Sequence, residues 1–303
     1  MIVDKPRGPT SHDVVARARR LFGTRAIGHA GTLDPMASGV LVVLLGEATK
    51  LSGWLTLADK RYRATLRLGA DSDSLDADGQ ITEHPPLPAP TPAALEAALA
   101  DERARVSQIP PAVSAVQVAG KRAYELTRAG QAPVLEPRQV SVRSLDLIAA
   151  DGHHVSLEIC VSKGYYVRAL ARDLASRLGT VGYLTELRRL ASGPFSVERA
   201  VAWPATEPPA LLNVSDAARL CLPAAHLTNI GAERAGCGKP LDETCFDAPP
   251  PDHPLEPSAA QPPVAWYYQG RLLALGRASQ DGFRVVRGFN PKLTGVLSDQ
   301  DRT

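Results

Sequence analysis

A chain of 303 residues with 44% hydrophobic side chains can bury a sizeable core in one large domain plus a small one, which excludes a disordered or fibrous protein. Its charge is uneven: residues 1–200 hold 25 Lys+Arg against 21 Asp+Glu, a surplus of 4, and residues 201–303 hold 9 against 11, a deficit of 2, so a polyanion would favour the first part. Cys160, Cys221, Cys237 and Cys245 never approach a CxxC spacing and the longest apolar run, Val40 to Leu45, is far too short for a bilayer, so no disulfide framework, metal site or membrane span is expected.

Met1 to Pro6 has no charged leader followed by an apolar stretch, and a non-secreted, cytoplasmic chain is the expectation. Thr10 with Asp13 three residues later reads as a capping box, and Val14, Val15, Ala18, Leu21 and Phe22 recur at helical spacing behind it. Val40 to Leu45 is a short apolar strand. Arg61 to Leu68 alternates strictly, with Tyr62, Ala64, Leu66 and Leu68 inward and arginines outward, which predicts a half-exposed strand with a basic face. After a Pro-rich stretch from Pro85, Thr91 and Pro92 open a helix carrying Leu95, Ala98 and Leu99. Val155, Leu157, Ile159 and Val161 form a second alternating strand. It runs through Ser162-Lys163-Gly164 into a helix with Val167, Leu170, Ala171, Leu174 and Leu178 on one face, stopped by Gly179. A weak acidic helix around Asp216 to Leu220 and strands at Val264–Tyr268, Leu272–Leu275 and Phe283–Val286 follow, with a Pro-rich loop from Pro249 to Pro263. Helices and strands intermix without a regular βαβ rhythm, so the class is α+β: a mixed sheet flanked by helices, with a small β domain at the end.

The densest cluster of chemistry is Gly28-His29-Ala30-Gly31-Thr32-Leu33-Asp34-Pro35-Met36-Ala37-Ser38-Gly39, between a helix and a strand. Glycines let backbone approach a ligand and Pro35 fixes the chain just after a carboxylate. An isolated Asp-Pro is ordinarily only a turn. Here, however, the segment resembles the catalytic loop of the pseudouridine synthase B family, which modifies uridine 55 in the T loop of bacterial tRNA. Lys5-Pro6-Arg7-Gly8-Pro9-Thr10-Ser11-His12-Asp13 resembles the family's opening motif, and Gly46-Glu47-Ala48-Thr49-Lys50 follows the catalytic strand. Gln108-Ile109-Pro110-Pro111, Tyr124-Glu125-Leu126, Ser162-Lys163-Gly164, Tyr166-Val167-Arg168 and Leu187-Arg188-Arg189 continue the match in order over residues 3–202. Departures are Val113 for Tyr, Gln117 for Lys, Tyr165 for Thr, and Ser72 and Ser74 for two Thr around Asp73 and Asp76.

The resemblance implies a pseudouridine synthase fold over residues 1–220 and a small PUA-type RNA-binding domain over 221–303. It implies Asp34 as nucleophile, Arg168 as its ion-pair partner and Tyr62 stacking on the target uracil. His29 would enter where flipped bases were, Tyr166 and Leu187 would line the pocket, and Lys5, Lys163, Arg61, Arg63, Arg122, Arg188 and Arg189 would meet phosphates. Tyr166 and Leu187 would otherwise be read as helix core. A redox-neutral isomerisation implies no cofactor, and the expected partner is the T arm of tRNA, bound by a monomer. Two other readings share these residues: a tRNA-binding module or folding chaperone without chemistry, and a glycosylase that releases the base.

Overall fold

The computed structural model describes residues 1–85, 88–114, 116–118, 120–131, 133–251, 262–290 and 292, with backbone only at 118, 121, 122, 124 and 128. The side chains of Arg122 and Tyr124 and most of the Pro249–Pro263 loop lie outside the described residues.

The main sheet has the strand order Val142–Asp151, His154–Val161, Lys60–Leu68, Gly182–Ser192, Ser38–Leu45, Ile2–Lys5, Val201–Ala202. Ile27–His29 pairs with Ser38–Leu45 and Phe195–Ser196 with Gly182–Ser192, giving nine strands. Pairing is largely antiparallel; Ile2–Lys5 with Val201–Ala202 and Gly182–Ser192 with Ser38–Leu45 run parallel. His154–Val161 and Lys60–Leu68 bury alternate residues, as period-2 patterning requires. Their inward side chains, Leu66, Leu157 and Ile159, meet Leu99 of helix Pro92–Arg103 and Leu170 and Leu174 of helix Val167–Arg177 in one core.

Ser38–Leu45 is apolar on both faces because both are covered. Leu41 and Val43 pack with Val14, Val15 and Ala18 of helix Ser11–Leu21. Val40, Val42 and Leu44 face the other way, into a cluster with Ala265, Tyr267, Leu272 and Leu275 of the C-terminal sheet. That sheet runs Ala224–His226, Val264–Tyr268, Arg271–Ser279, Gly282–Gly288. The acidic helix expected near Asp216 is Val214–Cys221, and it crosses the expected domain boundary while contributing Val214 and Ala218 to the same shared core.

One element differs in kind from its sequence reading. Leu187 lies in the middle of an eleven-residue strand, Gly182–Ser192, and not on a helix. Register shifts between Leu184 and Glu186 and between Arg189 and Ala191 interrupt the pleat, so the buried positions do not alternate.

Candidate active site

Asp34 is presented by a loop that is clamped at nearly every residue. Ser11, at the start of its helix, accepts from the Leu33 amide at 2.8 Å and donates to the Leu33 carbonyl at 3.0 Å. Thr10 caps that helix through the expected box, accepting from the Asp13 amide while Asp13 accepts from the Thr10 amide. Gly8 donates its amide to Pro35 O at 2.9 Å, and the Ala37 amide closes the turn on Asp34 O at 3.1 Å. Gly8 and Ser11 thus hold the residues on either side of the carboxylate.

Two cations expected on the surface are instead built into this clamp. Lys5 is fully buried, its ammonium donating to the carbonyls of Pro6 at 2.8 Å, Pro9 at 2.9 Å and Pro35 at 3.4 Å. Arg189, 1% exposed, donates to Val40 O at 2.6 Å, Thr32 O at 3.1 Å and Gly31 O at 3.1 Å. Neither offers a free cation to a phosphate, because each fills its donors with loop carbonyls that would otherwise be buried unpaired. Lys60, which sequence reading passed over, lies beneath Gly31 and donates to Thr56 O and Ala58 O, both at 2.6 Å. Burial holds the Lys5 and Lys60 ammonium groups down to about 8, against the usual 10.5.

The Asp34 carboxylate, about one-third exposed, accepts from Arg168 Nε at 3.0 Å. Arg168 is buried on the second position of helix Val167–Arg177 and also donates to Ser74 O at 2.9 Å. Its Nε lies 3.5 Å from a second carboxylate, Asp76. One guanidinium therefore faces two acids. Burial, joined by the Asp34 charge, raises the Asp76 carboxyl above its ordinary range, against the opposing pull of the Ser74 hydroxyl, Arg168 and the Asp78 amide. Ser74 is one of the departures noted in the sequence, and Asp76 was named only as its neighbour; nothing in the run Asp-Ser-Asp-Ser-Leu-Asp-Ala-Asp singles out which acid turns inward to Arg168.

Tyr62 is half-buried against the core cluster that holds Leu33, Met36, Ala37 and Leu187. Tyr166 precedes helix Val167–Arg177; Gln108 brackets its backbone, donating to Tyr166 O at 3.2 Å and accepting from its amide at 2.8 Å. Burial raises the Tyr166 hydroxyl, with the nearby Asp34 charge acting in the same direction. His29 meets the His12 ring edge-on with centroids 5.6 Å apart, and its Nδ1 is buried with no partner among the described residues. Burial, His12 and Arg189 all lower its pKa, so the neutral ring is favoured. Lys163 is exposed. Arg188 holds Asp4 with two contacts of 3.0 and 2.7 Å, and Arg61 and Arg63 share Glu158, so these basic side chains are already partnered.

Among the described residues no three His, Cys, Asp or Glu side chains converge as metal ligands, and no helix is long and apolar enough to cross a membrane. The arrangement offers an anchored, partly exposed carboxylate held by a buried guanidinium, near the apolar cluster against which Tyr62 packs.

A family model described as TruB family pseudouridylate synthase, N-terminal domain, matches residues 19–167. The tRNA pseudouridine synthase B of Cutibacterium acnes (strain DSM 16379 / KPA171202) is 45% identical over 251 residues, covering 80% of this chain and 85% of that protein. The protein of the same name from Mycobacterium tuberculosis (strain ATCC 25618 / H37Rv) is 43% identical over 253 residues, covering 82% and 85%. Among solved structures, a chain of a Cbf5-Nop10-Gar1 complex superposes with a TM-score of 0.72 at 24% identity, covering 96% of this chain and 85% of that one, a likeness of fold.

Proposed function

The chain belongs to the TruB family of pseudouridylate synthases, and from that premise we propose that it isomerises uridine 55 in the T loop of tRNA to pseudouridine with Asp34 as the nucleophile. The reaction breaks the bond from ribose C1′ to uracil N1, turns the base and rejoins it through C5; C5 loses a proton and N1 gains one. Asp34 attacks either C1′ or uracil C6, and Arg168 holds the carboxylate in line for that attack. The target base leaves its stack to enter the cleft, resting on Tyr62 between Tyr166 and Leu187, with His29 filling the space it vacates. Lys163 contacts phosphate, and recognition of a folded loop by shape suits a site whose nearest cations, Lys5, Arg168 and Arg189, are held by the protein itself. On this reading the enzyme is a cytoplasmic monomer without a cofactor, and residues 221–303 form a PUA-type RNA-binding unit beside a catalytic domain of residues 1–220.

The observation that carries the proposal is the 3.0 Å ion pair between Asp34 and Arg168, set in a loop whose flanking carbonyls are all held. A T-arm transcript labelled with tritium at uracil C5 tests it. Tritium release with the base retained is expected; free uracil would make the protein a glycosylase, and binding without release would leave only a tRNA-binding protein.

A further inference from the structure

Behind the wall that carries Tyr166 and Arg168 lies a buried polar chain with no part in the site described above. The Tyr165 hydroxyl, on a residue only 8% exposed, donates to Glu102 Oε1 at 2.7 Å, and Glu102 itself is fully buried. The same oxygen accepts from Arg105 Nε at 2.5 Å, and Arg105 Nη2 reaches Asp173 Oδ2 at 3.3 Å. Arg105 also donates to Ser107 O at 3.3 Å, one residue before the Gln108 that brackets Tyr166. Glu102 Oε2 has no partner among the described residues. An acid so buried, with both its contacts on one oxygen, is costly, and would be expected only where those contacts have a use.

The use is geometric. Helix Val167–Arg177 begins at Tyr166 with no capping side chain, so its first turn has to be fixed from outside. Tyr165 precedes Tyr166 and lies three residues before Arg168. Its ring joins helix Val167–Arg177 to the last turn of helix Pro92–Arg103, where Glu102 sits. Arg168 holds Asp34 through one hydrogen bond of 3.0 Å, which a shift of about 1 Å would break. We propose that Tyr165 is a positioning residue for the isomerisation: its bond to Glu102 fixes the helix entrance that delivers Tyr166 to the pocket and Arg168 to Asp34. The inference rests on the pseudouridine synthase reading.

Tyr165→Phe removes only the hydroxyl and keeps the packed ring. Single-turnover tritium release from labelled T-arm RNA should fall about tenfold, within the ~100-fold that a misplacement of about 1 Å can cost, while RNA affinity stays unchanged. Glu102→Gln keeps an oxygen for Tyr165 but weakens its bonds, and should lower the rate about threefold, also at unchanged affinity. A merely structural tyrosine would lower the melting temperature and leave the rate at saturating enzyme untouched. A folded Tyr165→Phe protein with the wild-type rate, or one whose loss lies in affinity alone, overturns the proposal. Should that variant not fold, Glu102→Gln decides by the same criterion, and failure of both to fold assigns the chain to stability and overturns it. Wild-type protein that releases no tritium would instead fail the pseudouridine synthase reading itself.

Discussion

Asp34 and Asp76 share one guanidinium, yet their surroundings assign them different work. Asp76 is buried, receives the Ser74 hydroxyl at 2.6 Å and the Asp78 amide at 3.1 Å, and so acts as a fixed brace for Arg168. Asp34 has Arg168 as its side-chain partner and an open flank, as the proposed nucleophile would require. Asp34→Asn keeps shape and volume but removes nearly all nucleophilicity. Turnover should become undetectable, beyond the ~10²–10⁴-fold of a lost general acid or base, while the melt and T-arm filter binding persist. A folded Asp34→Asn protein that still forms pseudouridine above a trace would end the nucleophile assignment. Lys163, exposed as a phosphate contact must be, should on change to Ala flatten the salt dependence of binding by roughly 0.7–0.9 in the log–log slope. An unchanged slope would leave it a plain surface charge. Lys5 and Lys60 give a pH signature, since each is held to about 8 in the folded state against 10.5 for an ordinary lysine. Between those values the unfolded chain binds more protons than the folded one, so this contribution to stability rises with pH. The rate should move the opposite way, falling above about pH 8 as Lys5 loses the charge that holds Pro35. A rate profile and thermal melts from pH 7 to 10 check both signs, and a flat rate would show that the loop keeps its shape without the ammonium.

Elements position these residues through close backbone contact, and Gly39 at the start of strand Ser38–Leu45 is the tightest case. Its φ is +103°, and a Cβ there would fall 2.2 Å from the carbonyl oxygen of Arg189, its partner across the parallel pairing. Gly39→Ala should therefore cost stability at the upper end of the ~0.5–3 kcal/mol typical of single substitutions and loosen the loop before it. A denaturant titration showing less than about 1 kcal/mol of loss would mean that the strands can part there without cost. Sequence patterning succeeds at some elements and stops at one strand of this pair. Thr10 and Thr91 cap their helices as read, and the alternation of Val155 to Val161 gave that strand its correct buried face. Gly182–Ser192 escaped because two bulges destroy the period of 2, leaving Leu184 and Leu187 at a spacing that suits a helix. Lys5 and Arg189 are hidden from patterning for a different reason: long cations are usually exposed, and only the folded chain shows the carbonyls of residues 6, 9, 31, 32, 35 and 40 converging on them. Asp34 was singled out by a motif and not by a periodicity, and the fold shows its ion pair with Arg168.

In the molecule as a whole, residues 221–303 are packed against the part that precedes them, so removing them reaches the core of the main sheet. Val40, Val42 and Leu44, on the strand that leaves the Asp34 loop, share one buried cluster with Ala265, Tyr267, Leu272 and Leu275. Tyr267 donates to Ser215 O at 3.0 Å, the Leu272 amide donates to Ser215 Oγ at 2.9 Å, and the Arg219 guanidinium lies 4.4 Å from the Tyr267 ring centroid. Further along, Lys50 donates to Gly288 O at 3.0 Å and the Asn290 amide to Glu47 at 2.8 Å, tying the end of the second sheet to the segment after the catalytic strand. A chain ending at Leu220 would expose the apolar face of its own central strand and cut helix Val214–Cys221 before its last residue. Exposed apolar surface of that kind favours aggregation. The truncated protein is therefore expected to melt well below the full chain or to aggregate, and to lose activity through lost structure and not only through lost RNA affinity. The comparison needs a thermal melt, a sedimentation profile and single-turnover tritium release at saturating enzyme on both proteins. A soluble truncation with a near-native melt and full single-turnover rate would show that the two sheets fold separately and that the tail serves binding alone.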